Sequence, residues 1–220
     1  MEVLTTLAAV RAMAVLRSAH AGRLAAVAHT LVDAGLPVVE FALTTPGALG
    51  ALAAYRADAP PEVCLGAGTV LSASQARQAV EAGAAYLVTP TLAPEVVAEG
   101  SRLGVPVLCG ALTPTEILAA TEAGAAAVKV FPASTVGPGY LRAVLAPLAG
   151  TPLVPTGGIG VGEAIGYLEA GAVAVAMGSQ LVGDACEGGD LRALGDRTRQ
   201  LVAELTRGGW AEGAGGRLRG

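Results

Sequence analysis

The sequence predicts a (β/α)8 TIM barrel: one α/β domain of eight parallel strands and their helices, preceded by a short N-terminal helix. Three observations predict it. The chain has 220 residues, which suits one large domain and lies in the range such barrels occupy. A helix-to-strand junction recurs along it. Short apolar runs follow those junctions, each closed by glycine or polar residues.

The junction is clearest at Asp33-Ala34-Gly35-Leu36, Glu81-Ala82-Gly83-Ala84, Glu122-Ala123-Gly124-Ala125 and Glu169-Ala170-Gly171-Ala172. Each ends a segment of helical periodicity and precedes a short β-branched run. That pattern reads as a helix stopping at a left-handed glycine and turning into a buried strand. The glycines are 48, 41 and 47 residues apart. A βα unit takes about 25–30 residues, so each interval holds two units. Weaker junctions fall between them at Asp58-Ala59-Pro60, Gly104-Val105-Pro106 and Gly150-Thr151-Pro152. Together they imply strands at residues 12–16, 38–43, 63–66, 86–88, 105–108, 126–131, 153–156 and 173–177. These runs lack strict alternation, as strands covered on both faces do. The segments between them have helical spacing, for example Leu24, Val27, Leu31 and Val32. A last helix over 190–207 sets Leu191, Leu194, Leu201, Val202 and Leu205 on one side. The expected domain is 1–207, and the glycine-rich tail 208–220 is expected to be mobile.

Composition removes several functional classes. With 53% hydrophobic and 15% charged residues, the chain is not disordered. Mean hydropathy is +0.58, yet the longest uncharged stretch, 143–162, carries Pro147, Pro152 and Pro155 and cannot be one spanning helix. Arg11 and Arg17 break the first apolar run, so no signal peptide is expected. A net charge of −4 and a pI of about 5.2 argue against nucleic acid. Cys64, Cys109 and Cys186 have no metal-type spacing and read as free thiols of a reducing cytoplasm.

Barrel enzymes work at the C-terminal ends of their strands. Lys129 stands at one such end, inside Ala125-Ala126-Ala127-Val128-Lys129-Val130-Phe131, and is the one lysine beside thirteen arginines. An ammonium is costly to bury. Desolvation favours the neutral amine, which can attack a carbonyl and form a Schiff base. Arginine cannot, because its guanidinium stays protonated. The alternative is a lysine that extends its head to solvent or pairs with a buried acid. Glu40 shares a strand face with Val38 and Ala42. Strands two and six face each other across an eight-stranded barrel, so an inward Glu40 approaches an inward Lys129 and could move protons there. A structural ion pair would produce the same sequence.

Thr156-Gly157-Gly158-Ile159-Gly160 follows strand seven, and Gly178-Ser179 follows strand eight. Loops at these places often bind phosphate through exposed backbone N–H groups. Plain turn chemistry explains either one alone. Arg17, at the end of strand one, could grip a carboxylate or phosphate bidentately, or be solvated. His20 and His29 read as exposed helix positions. No cluster of histidines with carboxylates is available for zinc, so no metal is expected.

With these residues together, the chain resembles the bacterial 2-keto-3-deoxy-6-phosphogluconate (KDPG) / 4-hydroxy-2-oxoglutarate (KHG) aldolase family over about residues 10–205. The matching stretches are Ala14-Val15-Leu16-Arg17, Val39-Glu40, Gly66-Ala67-Gly68-Thr69-Val70, Val88-Thr89-Pro90, Lys129-Val130-Phe131-Pro132-Ala133, Gly137-Pro138 and Pro155-Thr156-Gly157-Gly158-Ile159. The resemblance implies a cytoplasmic class I aldolase, metal-free and without a cofactor, often a homotrimer. Its substrate would be a small keto acid or sugar phosphate. By it, Lys129 forms an imine with pyruvate and Glu40 is the general acid/base. Thr69 and Pro90 line the pyruvate pocket, with Phe131 beside the imine. Thr156, Gly157, Gly158, Gly178 and Ser179 take the distal phosphate. Many family members carry arginine four residues after the glutamate, where this chain has Thr44 in the substrate-binding set; Arg17 is the expected compensation. The implied reaction cleaves KDPG to pyruvate and glyceraldehyde 3-phosphate, or KHG to pyruvate and glyoxylate, or both. Three alternatives stay open: the galactonate epimer as substrate, a phosphate-binding barrel epimerase or isomerase using Glu40 as base, and a non-catalytic sugar-phosphate sensor.

Overall fold

All four marked glycines stop their helices by the expected device. Gly35, Gly83, Gly124 and Gly171 adopt φ of +93°, +98°, +91° and +102°, a region that a side chain would disfavour. At each, the glycine amide donates to the carbonyl three residues back, and the next amide to the carbonyl five residues before it, as in Gly35 to Val32 and Leu36 to Leu31. This is the Schellman arrangement, which satisfies the helix's last carbonyls while reversing the chain.

The structure is a computed structural model and describes residues 3–208. Its helices are α1 Val3–Val10, α2 Leu24–Asp33, α3 Ala48–Asp58, α4 Ala73–Glu81, α5 Pro94–Leu103, α6 Pro114–Glu122, α7 Gly137–Leu145, α8 Val161–Glu169, the short α9 Ser179–Val182, and α10 Leu191–Arg207. Its strands are β1 Ala12–Leu16, β2 Val38–Ala42, β3 Cys64–Gly68, β4 Tyr86–Val88, β5 Val107–Ala111, β6 Ala127–Val130, β7 Leu153–Pro155 and β8 Val175–Met177. Neighbours pair in parallel in the order β7-β6-β5-β4-β3-β2-β1-β8. A bridge from Thr156 to Ala176 and a bond from the Val173 amide to the Leu153 carbonyl join β7 to β8 and close the ring. The architecture is therefore the expected (β/α)8 barrel with an N-terminal helix.

Two strands sit later in the chain than the apolar runs suggest. β3 runs on past Gly66 to Gly68, and β5 through Gly110 to Ala111. Glycine weakens a strand in isolation, but here the missing side chains leave room that neighbouring residues occupy. Val105, by contrast, belongs to the turn before β5, its amide donating to the Gly100 carbonyl.

The core has two layers. The larger lies between strands and helices; Leu31, Phe41, Leu52, Leu65, Ile117 and Leu153 belong to it. The smaller fills the barrel and includes Met13, Val38, Tyr86, Leu108 and Val154. Val3 and Leu7 of α1 join this inner cluster, so α1 stops the N-terminal end of the barrel. The expected tail lies outside the described residues except for Gly208. Among the described residues no helix is long and apolar enough to cross a membrane.

Leu7 is fully buried in that stopper. Leu7→Ala should lower unfolding stability by about 3 kcal/mol, read by chemical denaturation, since large-to-small changes in sealed cores cost about 2–5 kcal/mol.

Candidate active site

Lys129 lies on β6, one residue before the strand ends, and is 6% exposed. It is flanked in register by Gly110 of β5 and Val154 of β7. Its Nζ stands 5.6 Å from the centroid of the Phe131 ring, within range of a cation–π contact. Phe131 itself is 41% exposed at the mouth. The amine is thus inside the barrel, under an aromatic lip that ligands from solvent can reach.

Glu40 lies on β2, the strand opposite β6 in the ring, and is 1% exposed. Neither carboxyl oxygen has a hydrogen-bond partner in the protein. The ion pairs among the described residues are Arg77–Glu99, Arg102–Glu99 and Arg199–Asp196, so Glu40 and Lys129 form no direct salt bridge. They still feel each other. Burial raises the Glu40 pKa above the ordinary carboxylate value, and the Lys129 charge opposes this as the smaller effect. A carboxyl kept from water, near but not neutralised by an amine, holds its proton above the ordinary carboxylate range and is suited to giving and taking it.

The room for Glu40 comes from Gly68 on β3: a Cβ there would lie 1.6 Å from Glu40 Oε1. The residue after Gly68 is Thr69, half-buried, with φ of +57°. A β-branched residue in that region is uncommon and strained, a condition found mostly at functional sites. Pro90 follows β4 and lies against Gly110, where a Cβ would come within 2.3 Å of the Pro90 carbonyl carbon.

The loops after β6 and β7 are stitched together. The Ala133 amide donates to the Thr156 carbonyl (2.8 Å) and the Ser134 amide to the Gly157 carbonyl (3.1 Å). Gly157 and Gly158 have φ of +95° and +74°. A Cβ on Gly157 would meet the Phe131 ring at 2.9 Å, and one on Gly158 the Ser134 hydroxyl at 2.4 Å. Thr156 is buried, its hydroxyl turned to the Val154 carbonyl at 3.2 Å. Gly178 and exposed Ser179 follow β8 at the same end.

Arg17 and Thr44 follow β1 and β2 and are exposed on the rim, with no side-chain hydrogen bond or ion pair among the described residues. The structure therefore brings Lys129, Phe131 and Gly157 into contact and faces Glu40 toward Lys129. It leaves Arg17, Thr44 and Ser179 as rim positions. His20 and His29 are exposed, as expected, the latter edge-on to Tyr55 at 4.8 Å.

Several residues that hold the site were not singled out from sequence. Thr89 is fully buried; its hydroxyl accepts from the Gly110 amide (2.9 Å) and donates to the Thr91 carbonyl (2.7 Å), fixing the Pro90 turn. Thr45 accepts from the Ser18 amide at 3.0 Å. Glu187 accepts from the Ser18 hydroxyl (2.8 Å) and the Ala19 amide (2.9 Å), tying the loop after Arg17 to the connection after β8. Those donors hold the Glu187 pKa below the ordinary value. Thr89 had a local signal, its place at a strand end. Glu187 had none, being 169 residues from Ser18.

A model of the family described as Aldolase: KDPG and KHG aldolase matches residues 3–196. A 2-dehydro-3-deoxy-phosphogluconate aldolase of Treponema pallidum is 37% identical over 183 residues, 81% of this chain and 87% of its own length. A KHG/KDPG aldolase of Escherichia coli is 33% identical over 209 residues, 94% of both chains. Among solved structures, a KDPG aldolase from Legionella pneumophila, with pyruvate captured at low pH as a covalent carbinolamine intermediate, superposes with a TM-score of 0.84 at 25% identity, covering 91% of this chain and 98% of that one.

Because the Glu40 pKa is raised in the folded state, its contribution to stability is present at low pH and is lost as pH rises through the folded-state value. Glu40→Gln removes that titration. The stability of the variant relative to the parent should therefore increase as pH rises from the ordinary carboxylate range through the folded-state value in denaturant melts; a flat difference would contradict the burial argument. Thr89→Val, which leaves the Gly110 amide without its acceptor, should cost about 1–3 kcal/mol in the same assay.

Proposed function

Since this chain belongs to the KDPG and KHG aldolase family and is a carbon–carbon lyase, we propose that it cleaves 2-keto-4-hydroxy acids through an imine on Lys129. The observation that carries the reading is the pairing of the one lysine of the chain, buried on β6, with an uncompensated carboxyl, Glu40, facing it from β2.

In this mechanism the neutral Lys129 amine attacks the substrate C2 carbonyl; the carbinolamine hydroxyl then leaves as water with the proton of the Glu40 carboxyl, giving a protonated imine and leaving Glu40 as carboxylate. Glu40, as carboxylate, takes the proton of the C4 hydroxyl. The C3–C4 bonding pair flows into the imine, releasing an aldehyde and leaving an enamine. Glu40 then returns its proton to C3, and water hydrolyses the pyruvate imine to pyruvate and free amine. The barrel interior strengthens the field of the imine cation on the developing enamine, because little water screens it. Thr69 and Pro90 border the pyruvate carboxylate, and Phe131 covers the imine. Backbone amides of Gly157, Gly158, Gly178 and Ser179, with Thr156, receive a distal phosphate, supported by left-handed glycines that leave the Gly157–Gly158 turn bare of side chains. Arg17 supplies the charge that Thr44 does not. The preferred substrate is KDPG, giving pyruvate and glyceraldehyde 3-phosphate, the cleavage step of the Entner–Doudoroff pathway, with KHG as a second substrate.

The same reading needs no metal or cofactor, because the protonated imine is itself the electron sink. It places the enzyme in the cytoplasm, consistent with free thiols at Cys64, Cys109 and Cys186. It makes the working form a homotrimer, supported by the exposed apolar side chains of Leu71 and Leu118, which a neighbouring subunit would cover. Sedimentation equilibrium tests that state.

Borohydride reduction in the presence of pyruvate should fix one adduct, mapped by mass spectrometry to Lys129. Lys129→Ala should give no adduct and lose at least about a thousandfold in kcat, as loss of a covalent nucleophile does. An unmodified Lys129, or an active alanine variant, would sink the proposal. Initial rates with KDPG, its galactose epimer and KHG, side by side, rank the substrates. The acidic limb of kcat/KM should lie above the ordinary carboxylate range, as burial of Glu40 requires.

A further inference from the structure

Two glycines one pleat apart on β3 open space beneath the reacting groups. The Tyr86 ring, from β4, lies over Gly66, with a ring carbon 2.3 Å from where a Cβ would stand. The Glu40 carboxyl, from β2, lies over Gly68, 1.6 Å from the corresponding point. The parallel register sets Glu40 opposite Gly66, and Gly66 opposite Tyr86. Two side chains from the strands flanking β3 are thus laid down on it in adjoining positions, inside the barrel. Tyr86 is fully buried, and its hydroxyl, like both Glu40 oxygens, has no hydrogen-bond partner in the protein. Leaving a buried hydroxyl unpaired is costly, and a buried tyrosine hydroxyl usually finds a partner. A phenylalanine ring would fill the space over Gly66 without that cost. The hydroxyl therefore stands against the packing energetics, in the same layer as a carboxyl that has no donor.

We propose that the Tyr86 hydroxyl is a positioning group for Glu40, donating to its carboxylate through one bridging water and so holding it oriented for proton exchange with substrate. The proposal rests on the aldolase reading for what Glu40 does, and adds how Glu40 is held. A water between three polar atoms, the Tyr86 oxygen and the two Glu40 oxygens, has the partners a buried water needs. A neutral O–H bonded toward a carboxylate favours its charged form.

The titratable groups facing Glu40 are Lys129 on β6 and Tyr86 on β4, and Tyr86 in turn faces Cys64 on β3. The other strands turn Met13, Val15, Leu108, Val154 and Ala176 inward, none of which titrates. Burial pushes the Cys64 thiol up to about 11, and burial followed by the Cys64 and Glu40 charges pushes Tyr86 well above its ordinary value. Neither ionises where a carboxyl titrates. Tyr86 can therefore bias Glu40 by donation alone.

Tyr86→Phe keeps the ring and removes the donor. The infrared band of the protonated Glu40 carboxyl, identified by its absence in Glu40→Gln, reports the titration without using activity. In Tyr86→Phe its midpoint should move up by about half a pH unit or more, roughly a threefold change in ionisation constant. The acidic limb of kcat/KM should move with it. Superimposable curves in both measurements would overturn the proposal. Should Tyr86→Phe fail to fold, the Tyr86 Cζ resonance in carbon-13 tyrosine-labelled parent protein serves instead. It should follow the Glu40 midpoint and lose that dependence in Glu40→Gln; an invariant resonance overturns the proposal as well. Absence of a borohydride adduct on Lys129 would remove the aldolase reading and leave the infrared comparison to decide the coupling.

Discussion

The electrostatic coupling of Glu40 to Lys129 across the inside of the barrel governs the rest of this molecule. Each group is held where water is scarce, and they are far enough apart that no direct salt bridge forms. A tight buried pair would neutralise both and leave little driving force for chemistry. Two isolated charges would cost more than the fold can supply. The intermediate arrangement keeps the carboxyl easy to protonate and leaves the amine beside the opening formed by Phe131. Opposite strands of a closed eight-stranded ring provide that spacing, so the fold is part of the electrostatics.

Glycine on β3 and β5 makes the arrangement possible. An eight-stranded barrel has just enough interior to fill with side chains. A carboxyl and a tyrosine ring can share it because Gly66 and Gly68 contribute no side chain of their own, while Gly110 lets the Pro90 turn approach β5. The C-terminal face is then fixed by bonds between loops. Thr89 pins the turn after β4 to β5, the turns after β6 and β7 share two amide bonds, and Glu187 holds the segment after β1. Rigid strands carry Lys129 and Glu40, while the stitched loops carry the groups that would meet the rest of a substrate. Such preorganisation keeps reacting groups in place without reorganisation during turnover.

Much of this was legible from the chain. The four glycine junctions gave the helix ends because only a residue free to adopt positive φ serves there, a local requirement visible in local sequence. Lys129 was legible because one amine among arginines, set in an apolar run, has few chemical explanations. Glu40 was legible through strand periodicity. The extension of β3 and β5 through glycine was not, since the gaps are filled by neighbours distant in sequence: the Glu40 side chain at Gly68 and the Pro90–Thr91 backbone at Gly110. Tyr86 was likewise read only as a strand residue, because its unpaired hydroxyl is a property of its surroundings.

By itself, then, the order of residues determined the number of strands and where four of the helices stop, and it offered one amine and one carboxyl as candidates for the chemistry. These depend on backbone preference and on the identity of single residues. Tertiary structure alone decided that Glu40 and Lys129 face each other without bonding, that the Tyr86 and Glu40 side chains lie over successive glycines of β3, and that Glu187 clamps a loop 169 residues away. Those relations arise from closure of the ring, which brings together side chains whose separation along the chain carries no record of their distance in space.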